Sequence, residues 1–320
     1  MKSLKPYLES LLNVEEVLSN SERDKNIIEA WVKENYVYEG RLKINDNSTV
    51  DCPGSVRVKN QDITSLTNGM FRWGKVKLFK CCECENLESL EGAPEEVKDD
   101  FDCSWCTNLA SLEGSPESVG GDFNCSRCEK LKSLKGVPKK VGGDFKCTEC
   151  DDLTIFEDAP KEIGGNFNCS WCRNLKSIEG GLGKVGWDFD CSYCNNLVSL
   201  KGSPKEVGND FICSCCKNLI SLEGAPKNIY GDFLCNQCHS LKSLKGSPEA
   251  VEGDFNCYGN SLNSLKDSPK KVKGNFDCHS CINLKTLEGA PKEVGGYIKC
   301  GSCKNLKITD LDYKKYRIES

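Results

Sequence analysis

Residues Gly121 to Gly142 read GDFNCSRCEKLKSLKGVPKKVG, and this skeleton returns every 22 residues along most of the chain. The first cysteine of each coil falls at Cys81, Cys103, Cys125, Cys147, Cys169, Cys191, Cys213, Cys235 and Cys257, followed by Cys278 and Cys300. A fixed period in the range of about 20 to 50 residues marks a solenoid, in which each unit buries its apolar side only against its neighbours. Function is then to be sought on a repeated surface, not in one pocket.

Chemistry assigns the places within a coil. Phe101, Phe123, Phe145, Phe167, Phe189, Phe211, Phe233, Phe255 and Phe276 stand two residues before the cysteine. That spacing turns both side chains to the inward face of a short strand. The residue between them points to solvent. Leucines three apart, such as Leu131 and Leu134, and a valine such as Val141 complete the core, each worth about 1.5 to 3 kcal/mol when buried. Gly and Pro in EGAPKEVGG form the return turns. Asn before the first Leu, as at Asn108, Asn174, Asn196, Asn218, Asn283 and Asn305, suits a left-handed residue where the strand ends.

Outward from the repeats, Leu8, Leu11, Leu12, Val14 and Val17, then Ile27, Ile28, Trp31 and Val32, recur at helical spacing on either side of SNSERD. Two short amphipathic helices are predicted, the second capped by Ser19 or Ser21 and lying as a lid over the first coil. The stretch YVYEGRLKINDNSTVDCPGSVRV alternates around a turn and reads as a hairpin or edge strands. A degenerate coil follows from Ser55, with Val56, Val58, Gln61, Ile63 and Leu66 in place of Phe, Cys, Cys, Leu and Leu. The organisation is therefore an N-terminal cap over 1–54, repeats over 55–306 and a cap or tail over 307–320.

Net charge is -5 with no Lys/Arg-rich run, which argues against an electrostatic nucleic-acid footprint. No segment reaches the roughly 18 apolar residues of a membrane span, and MKSLKPYLESLLNVEEV lacks the apolar core of a signal peptide. A cytoplasmic protein is expected. In a reducing cytosol its 24 cysteines do not read as a disulfide framework.

Written FxCxxCxxLxxL, the coil resembles the leucine-rich repeat skeleton LxxLxLxxN/CxL, with Phe and the first Cys at two Leu positions. From about Val56 to Leu306 the chain is similar to the short bacterial repeats of secreted effectors and to the GAPKEVGGDFxC repeats of large-bacteriophage and giant-virus proteins. At Cys257 the pattern runs CYGNSLNSL, where Asn260 replaces the second cysteine and the coil shortens to 21 residues. The family shows the same exchange of Cys for Asn. The resemblance implies a right-handed curved solenoid with short parallel strands on its concave face, and a phage or viral protein acting on a host factor. One departure is a Val-to-Phe spacing one residue longer than in the effector repeats.

The cysteines have two readings. Ten CxxC pairs are a metal signal, because two pairs complete a tetrahedral zinc site or hold an iron–sulfur cluster. Alternatively Cys103, Cys106, Cys125, Cys128, Cys147, Cys150, Cys169, Cys172, Cys191 and Cys194 are small buried hydrophobes in two ladders, the second also donating to a turn carbonyl. Asn260 favours the ladder, since Asn keeps that hydrogen bond but is a poor zinc ligand. No metal or other cofactor is therefore expected. Catalysis finds little support, because His239 and His279 neighbour only ladder cysteines, while Cys82 and Cys215 are expected on the surface.

A protein partner is the expected ligand. Two places after the first cysteine stand Glu83, Trp105, Arg127, Glu149, Trp171, Tyr193, Cys215 and Gln237, projecting from the sheet with the Trp, Tyr and Arg that dominate interface energies. Trp105, Arg127, Glu149, Trp171, Trp187, Tyr193 and Tyr258 are the candidate contacts, centred on Trp171, Trp187 and Tyr193. Trp187 breaks the local rule, as GGLGKVGWDF puts it where a glycine is usual. Ahead of each Phe runs Asp100, Asp122, Asp144, Asn166, Asp188, Asp210, Asp232 and Asp254. These either attract a basic partner or an ion, or accept backbone hydrogen bonds at the strand starts.

Overall fold

The structure, a computed structural model, describes residues 20–319, so the first expected helix and Ser19 lie outside the described residues. A helix, Asn20–Asn35, opens it. Ser21 falls inside that helix rather than at its cap. Ile28, Trp31 and Val32 form its buried face, as their spacing requires. Strands β1 (Tyr36–Tyr38) and β2 (Lys43–Ile44) pair antiparallel with β3 (Thr49–Val58), giving the expected hairpin. Strand β3 then pairs in parallel with β4 (Arg72–Lys80), Val56 opposite Phe79.

From there the chain is a parallel β-solenoid of about 12 turns. Each regular coil carries two short strands of two residues, one starting at Phe and one ending at Val, as in Phe145–Lys146 and Lys140–Val141. Equivalent residues lie side by side: Phe123, Phe145 and Phe167 are register partners, as are Val141, Ile163 and Val185. In β4 both ladders run through one continuous strand, with Val76 opposite Val97 and Phe79 opposite Phe101. Val76 stands three residues before Phe79, whereas Val97 stands four before Phe101. The extra residue breaks the later strands in two.

The degenerate coil is only partly as expected. Val56, Ile63 and Leu66 are buried, but Gln61 is exposed and reaches Glu83 at 3.1 Å, so it takes no cysteine place in the core.

The phenylalanines form a continuous buried spine. Ring centroids of successive coils from Phe79 to Phe276 lie 5.0 to 5.8 Å apart and mostly parallel. Coil spacing forces this, because strands about 4.8 Å apart leave a ring no room for an edge-on neighbour. At the N-terminal end the column turns into an edge-to-face cluster, with Tyr36 on Trp73 at 5.0 Å and Trp31 on Phe71 at 5.9 Å. There the helix seals the spine from water. At the other end a short helix, Asp310–Lys315, begins with a capping box at Thr309. It leads to Ile318–Glu319, which pairs with Ile298–Lys299 as a last strand.

The valine ladder is interrupted once. It pairs up to Val207, then restarts as a separate sheet running from Ile229 through Val251 and Val272 to Val294. Just after Val207 stands Gly208, where a Cβ would lie 1.9 Å from the carbonyl oxygen of Gly186. Its equivalent one coil on is Tyr230, whose Cβ cannot approach the Gly208 carbonyl that closely. Strand pairing lapses on this side, where only the turn bond from Gly231 N to the Asn209 carbonyl at 3.0 Å is kept, while Phe211 and Phe233 remain paired on the other.

Shortening the spine is expected to be costly. Phe145→Ala should destabilise the protein by about 3–5 kcal/mol, the range for emptying a buried aromatic site, read as a lowered midpoint in urea. A loss below about 1 kcal/mol would mean that the rings are not packed as described.

Candidate interaction surface and the cysteine columns

After each Phe strand the chain turns sharply, and the residue two places beyond the first cysteine adopts a left-handed conformation. Values of φ are 61° at Trp105, 61° at Arg127, 55° at Glu149, 65° at Trp171 and 59° at Tyr193. The expected left-handed asparagines, Asn108 and its equivalents, are not among the positive-φ residues. Asn196 instead donates sideways to Asn174 at 3.2 Å, and Asn218 to Asn196 at 3.4 Å. A second correction follows from the same geometry. The two-residue strands end before the cysteine, so this column stands on the turn after the sheet and does not project from the sheet itself.

The turn is closed by the second cysteine. The Cys106 thiol donates to the Cys81 carbonyl at 3.0 Å, Cys128 to Cys103 at 3.3 Å, Cys150 to Cys125 at 3.2 Å, Cys172 to Cys147 at 3.0 Å and Cys194 to Cys169 at 3.3 Å. Each reaches back into the preceding coil. The thiols of Cys150, Cys194 and Cys238 also accept from the backbone N–H of the second cysteine of that coil. Asn260 makes the same pair of contacts with stronger groups: its Nδ2 donates to the Cys235 carbonyl at 2.9 Å, and its Oδ1 accepts from Cys238 N at 2.7 Å. Both cysteine columns are buried ladders.

Their chemistry follows from that burial. Burial pushes the thiols of Cys103 and Cys125 well up, that of Cys147 up to about 12 and that of Cys303 up to about 11. Such groups stay protonated at neutral pH, and a thiol is a poor nucleophile. Cys281 departs from the rule, lowered first by its hydrogen bond with Cys257. Among the described residues, no three His, Cys, Asp or Glu side chains are arranged to hold a metal ion. Cys82 and Cys215 are half-buried, and Cys215 donates to Gln237 Oε1 at 3.3 Å. His239 is exposed beside the Gly259 carbonyl, and His279 pairs with Asp277 at 2.7 Å.

Along the outer column the side chains pair coil to coil. The Arg127 guanidinium lies 4.2 Å from the Trp105 ring centre and 2.6 Å from Glu149. Trp171 and Tyr193 stack at 3.9 Å with rings only 6° from parallel. Both keep more than a third of their surface in water, 40% and 37%. Tyr258 stands one place after its cysteine, because Gly259 holds the left-handed position, and stacks on His279 at 4.2 Å. Trp187 is 62% exposed. It occupies the turn before the Phe189 strand, at the opposite end from Tyr193, and makes no ring contact among the described residues. The expected centre of Trp171, Trp187 and Tyr193 is therefore divided between two ends of the strand.

The acidic column has the second of its two expected roles. Asp100 Oδ1 accepts from Asp122 N at 2.9 Å, Asp122 Oδ1 from Asp144 N at 2.8 Å, and Asp210 Oδ1 from Asp232 N at 2.7 Å. Asn166 does the same for Asp188 N at 2.9 Å. Two features escaped the sequence reading. Lys146 bridges Asp122 Oδ2 at 2.9 Å and Asp144 Oδ2 at 3.1 Å, and Tyr230 is 64% exposed. The signal for Tyr230 was present, since it replaces a glycine of the GG turn as Trp187 does.

Raised thiol pKa values make stability fall with alkalinity. The native state holds protons that the unfolded chain releases, so stability is full below the ordinary thiol value of 9.0 and is lost as pH rises toward about 12, the folded value of Cys147. Urea midpoints should be flat from about pH 7 to 8 and decline steadily above about 9. A midpoint unchanged to about pH 11 would contradict the burial of the thiols.

The chain matches no protein-family model, no curated protein and no solved structure, so its interaction surface is read from its own geometry.

Proposed function

We propose that the chain is a non-catalytic protein-interaction module, binding a protein partner through the turn residues that follow the Phe strands, with Trp171 and Tyr193 at the centre. One observation carries this reading. Bulky aromatics are held at φ 65° and 59°, a conformation that costs an L-residue roughly 1–2 kcal/mol and that Gly259 adopts at the same column position three coils beyond Tyr193. Their edges face water although smaller residues would close the turn at lower cost. Trp, Tyr and Arg are also the residues that anchor interfaces, and Glu149, Arg127 and Trp105 extend the surface by three coils. The raised pKa values of ladder thiols such as Cys103, Cys125 and Cys147 support a non-catalytic role. The likeness to phage and giant-virus repeats supports a host protein as the partner, met on the face that a leucine-rich repeat would make concave.

Trp171→Gly with Tyr193→Gly is the test, because Gly259 shows that the position accepts glycine. A partner retained by immobilised wild-type protein should bind the double variant at least about tenfold more weakly, with the circular dichroism spectrum unchanged. Equal retention by both proteins would reject this surface as the binding face.

A further inference from the structure

The opposite end of the Phe strands offers a second surface. Trp187 and Tyr230, both more than 60% exposed, stand two coils apart, Trp187 in place of the second glycine of the GG turn and Tyr230 in place of the first. Between and beside them run Asp188, Asp210 and Asp232. Each spends Oδ1 on the backbone N–H of the next coil, at 3.0, 2.7 and 2.7 Å. Asp188 Oδ1 also accepts from Asn209 Nδ2 at 2.8 Å, and none of the three half-buried carboxylates is ion-paired among the described residues.

An earlier stretch of the same ladder shows what the second carboxylate oxygen holds. Lys146 lays its stem along the outer face of its strand and places Nζ on Asp122 Oδ2 and Asp144 Oδ2, at 2.9 and 3.1 Å. The equivalent strand positions are Asp190 in the coil of Trp187, then Ile212 in the next coil and Leu234 in the coil of Tyr230, the last two half-buried. Ile212 and Leu234 provide the apolar track for a cationic stem and no cation of their own. Long Lys and Arg stems favour such tracks, with the charged head at a polar end, and an exposed aromatic ring attracts the same cations.

We propose that this face binds a Lys/Arg-rich extended segment of a protein partner, its side chains lying along Ile212 and Leu234 as Lys146 lies on its own strand, and ending on Asp188, Asp210 and Asp232. Trp187 and Tyr230 flank the segment. The proposal rests on the reading of the chain as a protein-binding scaffold, but it uses the strand end remote from Trp171.

A fluorescein-labelled oligolysine peptide, followed by fluorescence anisotropy, tests it, with oligoglutamate as the opposite charge. Asp210→Asn with Asp232→Asn removes charge but keeps the backbone acceptor, as Asn166 does naturally. Ile212→Lys fills the slot from within, as Lys146 does. Wild type should bind oligolysine and not oligoglutamate, and each of these variants should weaken binding by about tenfold, the sum of a few exposed charge pairs. Glu91→Gln with Glu288→Gln, an equal change of charge elsewhere, should leave it within about twofold. Trp171→Gly should also leave it intact, so failure here and failure of the Trp171 surface are told apart. The proposal is overturned if wild type ignores oligolysine, if neither slot variant weakens it, or if the remote charge pair or Trp171→Gly weakens it as much.

Discussion

Every side chain in this solenoid meets, one strand spacing away, the side chain at its own position in the next coil. That constraint decides which residues each position can hold. A position tolerates only groups that can neighbour themselves at about 4.8 Å. Phe satisfies it by stacking face to face. Leu and Val satisfy it by dispersion. Asp does so poorly, since two carboxylates about 4 Å apart repel by about 1 kcal/mol even in water. Its place is kept by the backbone N–H that each Asp accepts from the next coil, and Asn166 and Asn275 relieve the charge at intervals. The Arg127 to Glu149 contact solves the same problem on the outer column by alternating sign.

The second cysteine solves the hardest case. The turn after the Phe strand leaves a carbonyl and an N–H of the preceding coil facing inward, and a buried backbone group without a partner is costly. A thiol is small enough to enter the column, weakly donates to one group and weakly accepts from the other. Asn260 performs both tasks with an amide, which is larger; its coil loses one residue on the way to the next leucine. The cysteines thus act through hydrogen bonding and volume. Burial that suits them to this role also keeps the protons on thiols such as Cys103, Cys125 and Cys147.

The coil architecture was legible in the sequence because periodicity and polarity agree at every position: Phe and Cys inward, Asp at the strand start, Asn260 as a substitute for Cys. The hairpin was legible from alternation. Errors arose where a backbone torsion, not burial, is the deciding quantity. Asn108 and its equivalents carry the composition of a left-handed residue, yet the left-handed site is Trp105 and its column, whose varied side chains hide a common φ. Likewise Trp171, Trp187 and Tyr193 are near in sequence, but a strand of only two residues between turns sends Trp187 to one end and Tyr193 to the other. Contacts that skip a coil's own residues, such as Lys146 to Asp122, need coordinates because a long flexible side chain can choose several acids.

The parting of the valine ladder at Tyr230 gives the molecule an asymmetry that the regular sequence conceals. On the Phe side the strands are paired without interruption from β4 to the last strand. On the valine side they form two separate runs, ending at Val207 and starting at Ile229. The body is thus paired continuously along one wall, while along the other the two runs are held at the break by a single turn bond, Gly231 N to the Asn209 carbonyl at 3.0 Å. Bending that opens this wall breaks one backbone hydrogen bond and no strand pairing, so the solenoid has a built-in flexure between two stiffer arms, with Gly208 on one lip of it and the exposed Tyr230 on the other.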